Sequence, residues 1–217
     1  MEKLMKFINK IIFVIEFIIS IFGTYSLYQI VLYKNTANNI PIKHLIIFII
    51  SIIVLLGIII YNYKNNKEKV EKVIISFLIP ISMTYVFFMA PGYVPDEPAH
   101  IYKSYEISTG KLITEIKEDG SSTNEVPKYL RNNIELSLTT YSQYNMAVSE
   151  ETDYDDVIEV ESPAQAYPPI LYAFSALGFL IGRAFKINVI LAVYLARIFN
   201  LMVFLIIGYY SIKLIPF

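Results

Sequence analysis

The sequence predicts an all-α transmembrane protein, a multi-pass helical bundle with one large acidic outer loop. Hydrophobic residues make up 55% of the 217 residues, the mean hydropathy is +0.51, and the apolar residues occur in long blocks, which is typical of membrane spans. Charge is divided in the same way, because residues 93–167 hold 15 acidic and 5 basic side chains and the rest of the chain holds 4 acidic and 13 basic ones. The chain therefore combines a basic membrane part with an acidic loop.

Three apolar segments precede the loop, at residues 11–33, 45–63 and 73–92. Each reaches the roughly 20 residues that a helix needs to cross a bilayer, and backbone groups in lipid must be paired within the segment, so we expect helices. The first segment is too long for a signal peptide and no small-x-small cleavage site follows it, which predicts an uncleaved anchor. For Glu16 inside this segment, we favour packing of the carboxyl against a neighbouring helix over a proton or substrate contact, although intramembrane acids are often functional.

The placement of lysine predicts the orientation of these segments. Three lysines precede the first segment and four lie at residues 64–72, whereas Lys34 and Lys43 alone flank the link between the first two segments. The positive-inside rule therefore places the N-terminus and residues 64–72 in the cytoplasm. Three crossings then bring the acidic loop to the outer face.

Two apolar stretches follow the loop, and their topology stays open at this stage. Residues 168–185 are short and end near the basic Arg183 and Lys186, and residues 188–212 form a longer stretch interrupted by Arg197. If both cross, the protein has five spans, which charge placement slightly favours. If the first lies on the outer surface, four spans remain and Arg197 sits near the outer interface, which the cost of burying arginine in lipid favours.

The loop begins with PDEPAHIYKSYEISTGK, which predicts a short helix. Asp96 can cap this helix, Pro98 falls in its first turn, and Gly110 ends it. The expected packed face consists of Ile101, Tyr102 and Tyr105. Further along, EVPKYL is a candidate second short helix, and VSEETDYDDVIEVES is interpreted as a solvated acidic excursion because it lacks the glycine and ligand spacing of a calcium loop.

Asp96 and Glu97 are adjacent carboxylates at the edge of a membrane segment, where a hydroxyl substrate from water and a lipid phosphate can meet. Such a pair can act as a general base or bind a divalent cation, with His100 one helical turn away as a further ligand. The structural alternative is that Asp96 caps the helix and Glu97 interacts with the helix dipole. Spacing alone slightly favours this structural alternative. It does not tell whether Asp96, Glu97 and His100 bind a metal.

Three motifs carry a resemblance to a known family. PDEPAHIYKSYEISTGKL resembles the opening signature of the bacterial domain-of-unknown-function family numbered 2142, and AYPPILYAFSALGFLIGR and YLARIFNLMVFLIIGYYSIKLIPF resemble two later segments of that family. The family is grouped with the GT-C glycosyltransferases, membrane enzymes that take sugars from polyprenyl-phosphate carriers. The two-helix membrane segment at 1–72 lies outside the resemblance, and the family pattern does not require it. For residues 73–217 the resemblance implies a GT-C-like N-terminal part, with a span at 73–92, an outer loop at 93–166, a surface jaw helix at 168–186 and a span at 190–213.

The resemblance also implies roles for particular residues. By position, Asp96 is the expected catalytic base and Glu97 its partner. The residues expected to contact the substrate are His100, Arg197, Arg183 and Tyr167. The implied partners are membrane lipid and a polyprenyl-phosphate-linked sugar, and no nucleic acid is expected. The implied location is the bacterial cytoplasmic membrane, and the implied product is a cell-envelope glycan or lipid. Because family members continue with further spans, we expect this chain to be the N-terminal part of a longer protein. The alternative function is a non-catalytic multi-pass membrane protein that assists polysaccharide assembly.

Overall fold

The computed structural model describes residues 2–36, 39–66, 69–114, 117, 121–134, 138–161 and 163–215, and it describes the side chains of the first helix from Ile11 onward. In chain order the elements are α1 (Glu2–Asn35), α2 (Ile42–Asn65), α3 (Val70–Phe88), α4 (Glu97–Ser108), β1 (Thr123–Pro127), α5 (Lys128–Asn133), α6 (Tyr141–Ser149), β2 (Val157–Glu161), α7 (Ala173–Ala184) and α8 (Val189–Leu214). The chain divides into two compact units. The membrane unit is Met1–Phe88 with Leu201–Phe217, and the loop unit is Met89–Asn200.

Four helices among the described residues are long and apolar enough to cross a membrane: α1 from Ile11, α2, α3 and α8. Their long runs of isoleucine, leucine and phenylalanine favour helices because a helix pairs its own backbone groups in lipid. The prediction of an all-α multi-pass membrane protein is thereby confirmed. Helix α7 belongs to a shorter apolar segment, Pro169–Ala184. Its 12 residues give about 18 Å of helix against about 30 Å of hydrocarbon, which favours four spans over five.

Small and polar side chains line the contacts between the first three helices. A Cβ added at Gly23 would lie 2.7 Å from that of Ser51, so the backbones of α1 and α2 approach closely. Glu16 is fully buried and accepts a hydrogen bond from Ser76 of α3, whose hydroxyl in turn accepts one from Asn62 of α2. The favoured expectation for Glu16, a carboxyl packed against a neighbouring helix, agrees with this arrangement.

Helix α4 forms where PDEPAH predicted a helix. Pro98 falls in its first turn, and Gly110 follows its end with φ +93°. The predicted packed face is buried, at Ile101, Tyr102 and Tyr105. The prediction of a capping side chain is wrong, however. Asp96 occupies the N-cap position with φ +62° and makes no capping hydrogen bond with its carboxylate.

A two-stranded antiparallel sheet crosses the acidic loop. Strand β1 pairs with β2 in a register that places Thr123 opposite Glu161 and Pro127 opposite Val157. Residues 157–161, part of the stretch interpreted as a solvated acidic excursion, therefore form a strand that the interpretation did not include, although their acidic side chains are exposed as expected. Their alternation of apolar and acidic side chains has the period of a strand, and it buries Val160 while the flanking acids stay exposed. The candidate helix in EVPKYL begins only at Lys128, because the residues before it belong to β1.

Helices α7 and α8 are joined by a short, well-defined turn. Lys186 adopts a left-handed conformation with φ +52°, and the Ile187 N–H donates to the Gly182 carbonyl at 2.8 Å. This is the hydrogen-bond pattern of a helix C-terminal cap. The Asn188 side chain then accepts from the Ile190 N–H at 2.8 Å, which satisfies an N–H in the first turn of α8.

Candidate functional site

The turn that leads into α4 depends on a glycine. Gly92 has φ +79°, and a Cβ there would lie 2.3 Å from the carbonyl oxygen of Ile134, so a larger residue would clash as well as strain the backbone. The Gly92 N–H donates to Oε2 of Glu97 at 2.9 Å. The turn therefore supplies one of the groups that fix the first carboxylate of α4.

Glu97 and Arg197 form a bidentate ion pair across the loop unit. Arg197 Nε lies 2.8 Å from Oε1 of Glu97, and Nη2 lies 2.8 Å from Oε2. The guanidinium also donates to the carbonyls of Met89 and Ala90. The side chains of Arg197 and Glu97 are only 15% and 18% exposed, respectively. Charge-assisted bonds in this fork geometry are among the stronger ones in proteins, so they hold α8 to the start of α4.

Asp96 differs from Glu97 in its solvent exposure and in its hydrogen bonding. Its side chain is exposed, and within the described residues no hydrogen bond or ion pair engages its carboxylate. Its positive φ costs about 1–2 kcal/mol for most residues, although aspartate tolerates the conformation better than most. Strained backbone is found preferentially at functional sites. Of the two adjacent carboxylates, that of Glu97 is held in an ion pair with Arg197, and that of Asp96 is accessible to solvent.

A cavity of about 380 Å³ begins beside Glu97 and Arg197. The His100 ring stacks on that of Tyr172 at 5.8 Å between centroids, and its Nδ1 shares a hydrogen bond of 2.8 Å with the Tyr172 hydroxyl. Tyr167 is half exposed, with its ring 5.6 Å from that of His100. The hydroxyls of Ser104 and Ser175, 2.7 Å apart, also line the cavity. Burial raises the pKa of Tyr172 above its ordinary value of 10.0. The volume falls in the range of small-molecule sites.

Arg183 lies elsewhere in the loop unit. Its Nη1 donates to the Ser108 carbonyl at 3.0 Å, and its guanidinium lies 5.9 Å from the centre of the Tyr105 ring. Ser108 is the last residue of α4, about 16 Å along the axis from Glu97. The structure therefore brings together Glu97, His100, Tyr167 and Arg197 around the cavity. Asp96 precedes Glu97 in the chain but does not line the cavity, and Arg183 lies at the other end of α4.

No three histidine, aspartate or glutamate side chains among the described residues are arranged to hold a metal ion. Asp96, Glu97 and His100 were the residues proposed for such a site. The Glu97 carboxylate is instead paired with Arg197, and the His100 ring shares a hydrogen bond with the Tyr172 hydroxyl. The structure gives no support for a divalent cation at this position.

The sequence did not reveal a second charge cluster behind the site. Lys103 is 1% exposed and lies 3.4 Å from Glu106. The Glu106 carboxylate also accepts from Thr114 at 2.9 Å and from Asn124 at 2.5 Å. The three-residue spacing of lysine and glutamate on α4 was the available signal, but α4 is buried on nearly all sides, which helical periodicity does not predict. This buried pair anchors α4.

Comparison with known proteins finds a family model that matches the chain. The family model described as "Predicted membrane protein (DUF2142)" matches residues 77–217. The matched region contains the cavity, α4 and the Glu97–Arg197 pair. No curated protein and no solved structure matches the chain significantly.

Proposed function

The chain belongs to the DUF2142 family of predicted membrane proteins, and on that premise we propose that it acts in sugar transfer of the GT-C type. It would transfer a sugar from a polyprenyl-phosphate donor to a cell-envelope glycan or lipid on the outer face of the bacterial cytoplasmic membrane. The observation that carries the proposal is the exposed carboxylate of Asp96, which directly precedes Glu97 in the chain, where Glu97 lines a cavity together with histidine and tyrosine.

Asp96 is the proposed general base. Its carboxylate would accept the proton of the acceptor hydroxyl as that oxygen attacks the anomeric carbon of the sugar. The bond from this carbon to the phosphate oxygen breaks in line, and the lipid phosphate leaves with the electron pair. An exposed carboxylate suits this role because the acceptor arrives from water, and a general base contributes about 10²–10⁴-fold in rate.

Glu97 and Arg197 are proposed as positioning residues. The guanidinium nitrogens of Arg197 already donate to Glu97 and to the carbonyls of Met89 and Ala90. Direct compensation of the donor phosphate by Arg197 would require these bonds to rearrange. In the present geometry, the pair instead fixes the turn that presents Asp96.

The cavity is proposed to hold a sugar ring. Aromatic faces commonly pack against the apolar faces of sugars, and the centre of the His100 ring lies 5.6 Å from that of Tyr167 and 5.8 Å from that of Tyr172. The paired hydroxyls of Ser104 and Ser175 add hydrogen-bonding groups. This arrangement supports the substrate contacts expected for His100 and Tyr167.

Asp96→Asn tests the proposal with little structural disturbance. Asparagine tolerates positive φ about as well as aspartate, so folding and membrane levels should stay unchanged. Sugar transfer from a polyprenyl-phosphate donor by the protein should fall about 10²–10⁴-fold, because asparagine cannot accept the proton. Asp156→Asn, at an exposed carboxylate elsewhere in the loop unit, is the matched control and should retain activity.

Full activity in Asp96→Asn would show that Asp96 is not the general base, and the glycosyltransferase proposal would lose its catalytic residue. The alternative, a non-catalytic protein that assists polysaccharide assembly, would then be favoured, since the Glu97–Arg197 pair already has a structural use. Glu97→Gln should lower activity and stability together if Glu97 positions the turn.

A further inference from the structure

A groove runs along the membrane unit between α1, α3 and α8, with a volume of about 950 Å³. Most of its wall is apolar, and several of the wall side chains are not covered by the protein. Val14 is 58% exposed and Ile206 is 54% exposed, while Ile75 and Ile79 form a buried floor. Such a groove between spanning helices is open to lipid chains.

One end of the groove has a different chemistry. Lys69 and Lys72 lie at the start of α3, and Lys213 lies in the last turn of α8. Because the start of α3 and the end of α8 meet at this end of the groove, Lys72 is close enough to Lys69 and to Lys213 for electrostatic repulsion. Glu71 is the acid that lines the groove among the described residues. Three ammonium groups against one carboxylate leave a net positive site.

The same end carries two tyrosines, Tyr209 and Tyr210, in the groove wall. Tyrosine favours the level of the lipid headgroups, with its ring in the apolar region and its hydroxyl in the polar one. The basic end also lies at the start of α3, where lysine placement predicts the cytoplasmic face. Basic pockets between spanning helices on that face are characteristic binding sites for anionic lipid headgroups.

We propose that this groove binds an anionic phospholipid, with its phosphate headgroup at Lys69, Lys72 and Lys213 and its acyl chains along the apolar wall. Charge complementarity selects this occupant, since a zwitterionic lipid would leave the repulsion among the lysines uncompensated. The proposal concerns the membrane unit alone and is independent of the function assigned to Asp96.

The absence of tryptophan from the sequence allows a direct test. Ile206→Trp places a single tryptophan in the groove of the 217-residue chain, which is reconstituted in phosphatidylcholine vesicles. Brominated phosphatidylglycerol should quench its fluorescence at lower mole fractions than brominated phosphatidylcholine does. Ile53→Trp, at a 64% exposed position on α2, is the control probe and should be quenched equally by the two lipids.

The charge requirement is tested by adding Lys72→Gln and Lys213→Gln to the Ile206→Trp protein. The preference for phosphatidylglycerol should fall about fivefold for each lysine removed. Lys64→Gln is the matched control, because Lys64 is an exposed lysine in the last turn of α2 and does not line the groove. Circular dichroism checks that the variants keep their helix content.

Four results would each overturn the proposal. Equal quenching of Ile206→Trp by both lipids would make the groove ordinary lipid-facing surface. A preference that survives Lys72→Gln with Lys213→Gln, or that falls as much with Lys64→Gln, would remove the headgroup site. Quenching at Ile53→Trp but not at Ile206→Trp would show that protein, either a second copy or another segment, fills the groove.

Discussion

Glu97→Gln should destabilise the loop unit far more than the loss of a surface charge would. Glu97 and Arg197 are 18% and 15% exposed, and three nitrogen–oxygen contacts of 2.6–2.8 Å join them. Removing one partner of a buried pair costs about 3–5 kcal/mol. The carbonyls of Met89 and Ala90 still accept from the arginine, and the pair keeps some solvent, so we expect about 2–3 kcal/mol.

A double-mutant cycle isolates the pair itself. Arg197→Met alone leaves Glu97 with the Gly92 N–H and should cost a similar amount, whereas the double variant leaves no unpaired charge. Its cost should therefore fall short of the sum of the single costs, by a coupling energy of about 1.5–3 kcal/mol. The assay is denaturant-induced unfolding in detergent, followed by far-ultraviolet circular dichroism, for all four proteins.

The ion pair between Lys111 and Glu125 provides the reference cycle. These side chains are 47% and 51% exposed, and exposed pairs typically couple by less than about 1 kcal/mol. A coupling energy at Glu97–Arg197 no larger than that of the reference would refute the reasoning. The fold would then hold the two charges close together, but their interaction would not stabilise the loop unit.

Three further experiments follow from the fold. A cysteine at Ser142, an exposed position on α6 of this cysteine-free chain, should react with an impermeant maleimide on intact cells, and labelling only after lysis would reverse the predicted topology. A cysteine at Lys186 should also react from outside and one at Lys213 should not; the opposite pattern would restore five spans. Burial raises the pKa of Tyr154 above its ordinary value of 10.0, so the stability that this phenol contributes is complete below about pH 10 and is lost as the pH rises through the folded-state pKa. Tyr154→Phe should flatten the alkaline loss of helix content, and an identical pH profile in both proteins would contradict the assignment.

The membrane helices could be predicted from the sequence because their signal is local. Each span is set by its own length and hydropathy, and the structure confirms four such helices with bounds close to those expected. Helix α4 was also predictable, since Pro98 and Gly110 mark its two ends. In both cases, the residues that decide the structure are neighbours in the chain.

The arrangement of the candidate site could not be predicted in the same way. Glu97 and Arg197 are 100 positions apart, and nothing local to either indicates that they pair. The family resemblance named both residues but gave them separate roles. Strand β2 was missed because its acidic composition suggested a solvated loop, whereas its pairing with β1 depends on residues 30–38 positions earlier. Gly92 was overlooked because its necessity arises from the Ile134 carbonyl.

Helices α7 and α8 pack closely at Gly178 and Gly182 of α7, next to the part of α8 that carries Arg197 of the Glu97–Arg197 pair. A Cβ added at Gly178 would lie 2.3 Å from the Ala196 nitrogen, and one at Gly182 would lie 2.6 Å from the Ala192 Cβ. Ala196 immediately precedes Arg197, so a single methyl group at position 178 would clash with the backbone next to the arginine and force a local shift there. Natural variation should therefore be as restricted at this glycine as at the charged residues, although no glycine side chain takes part in binding.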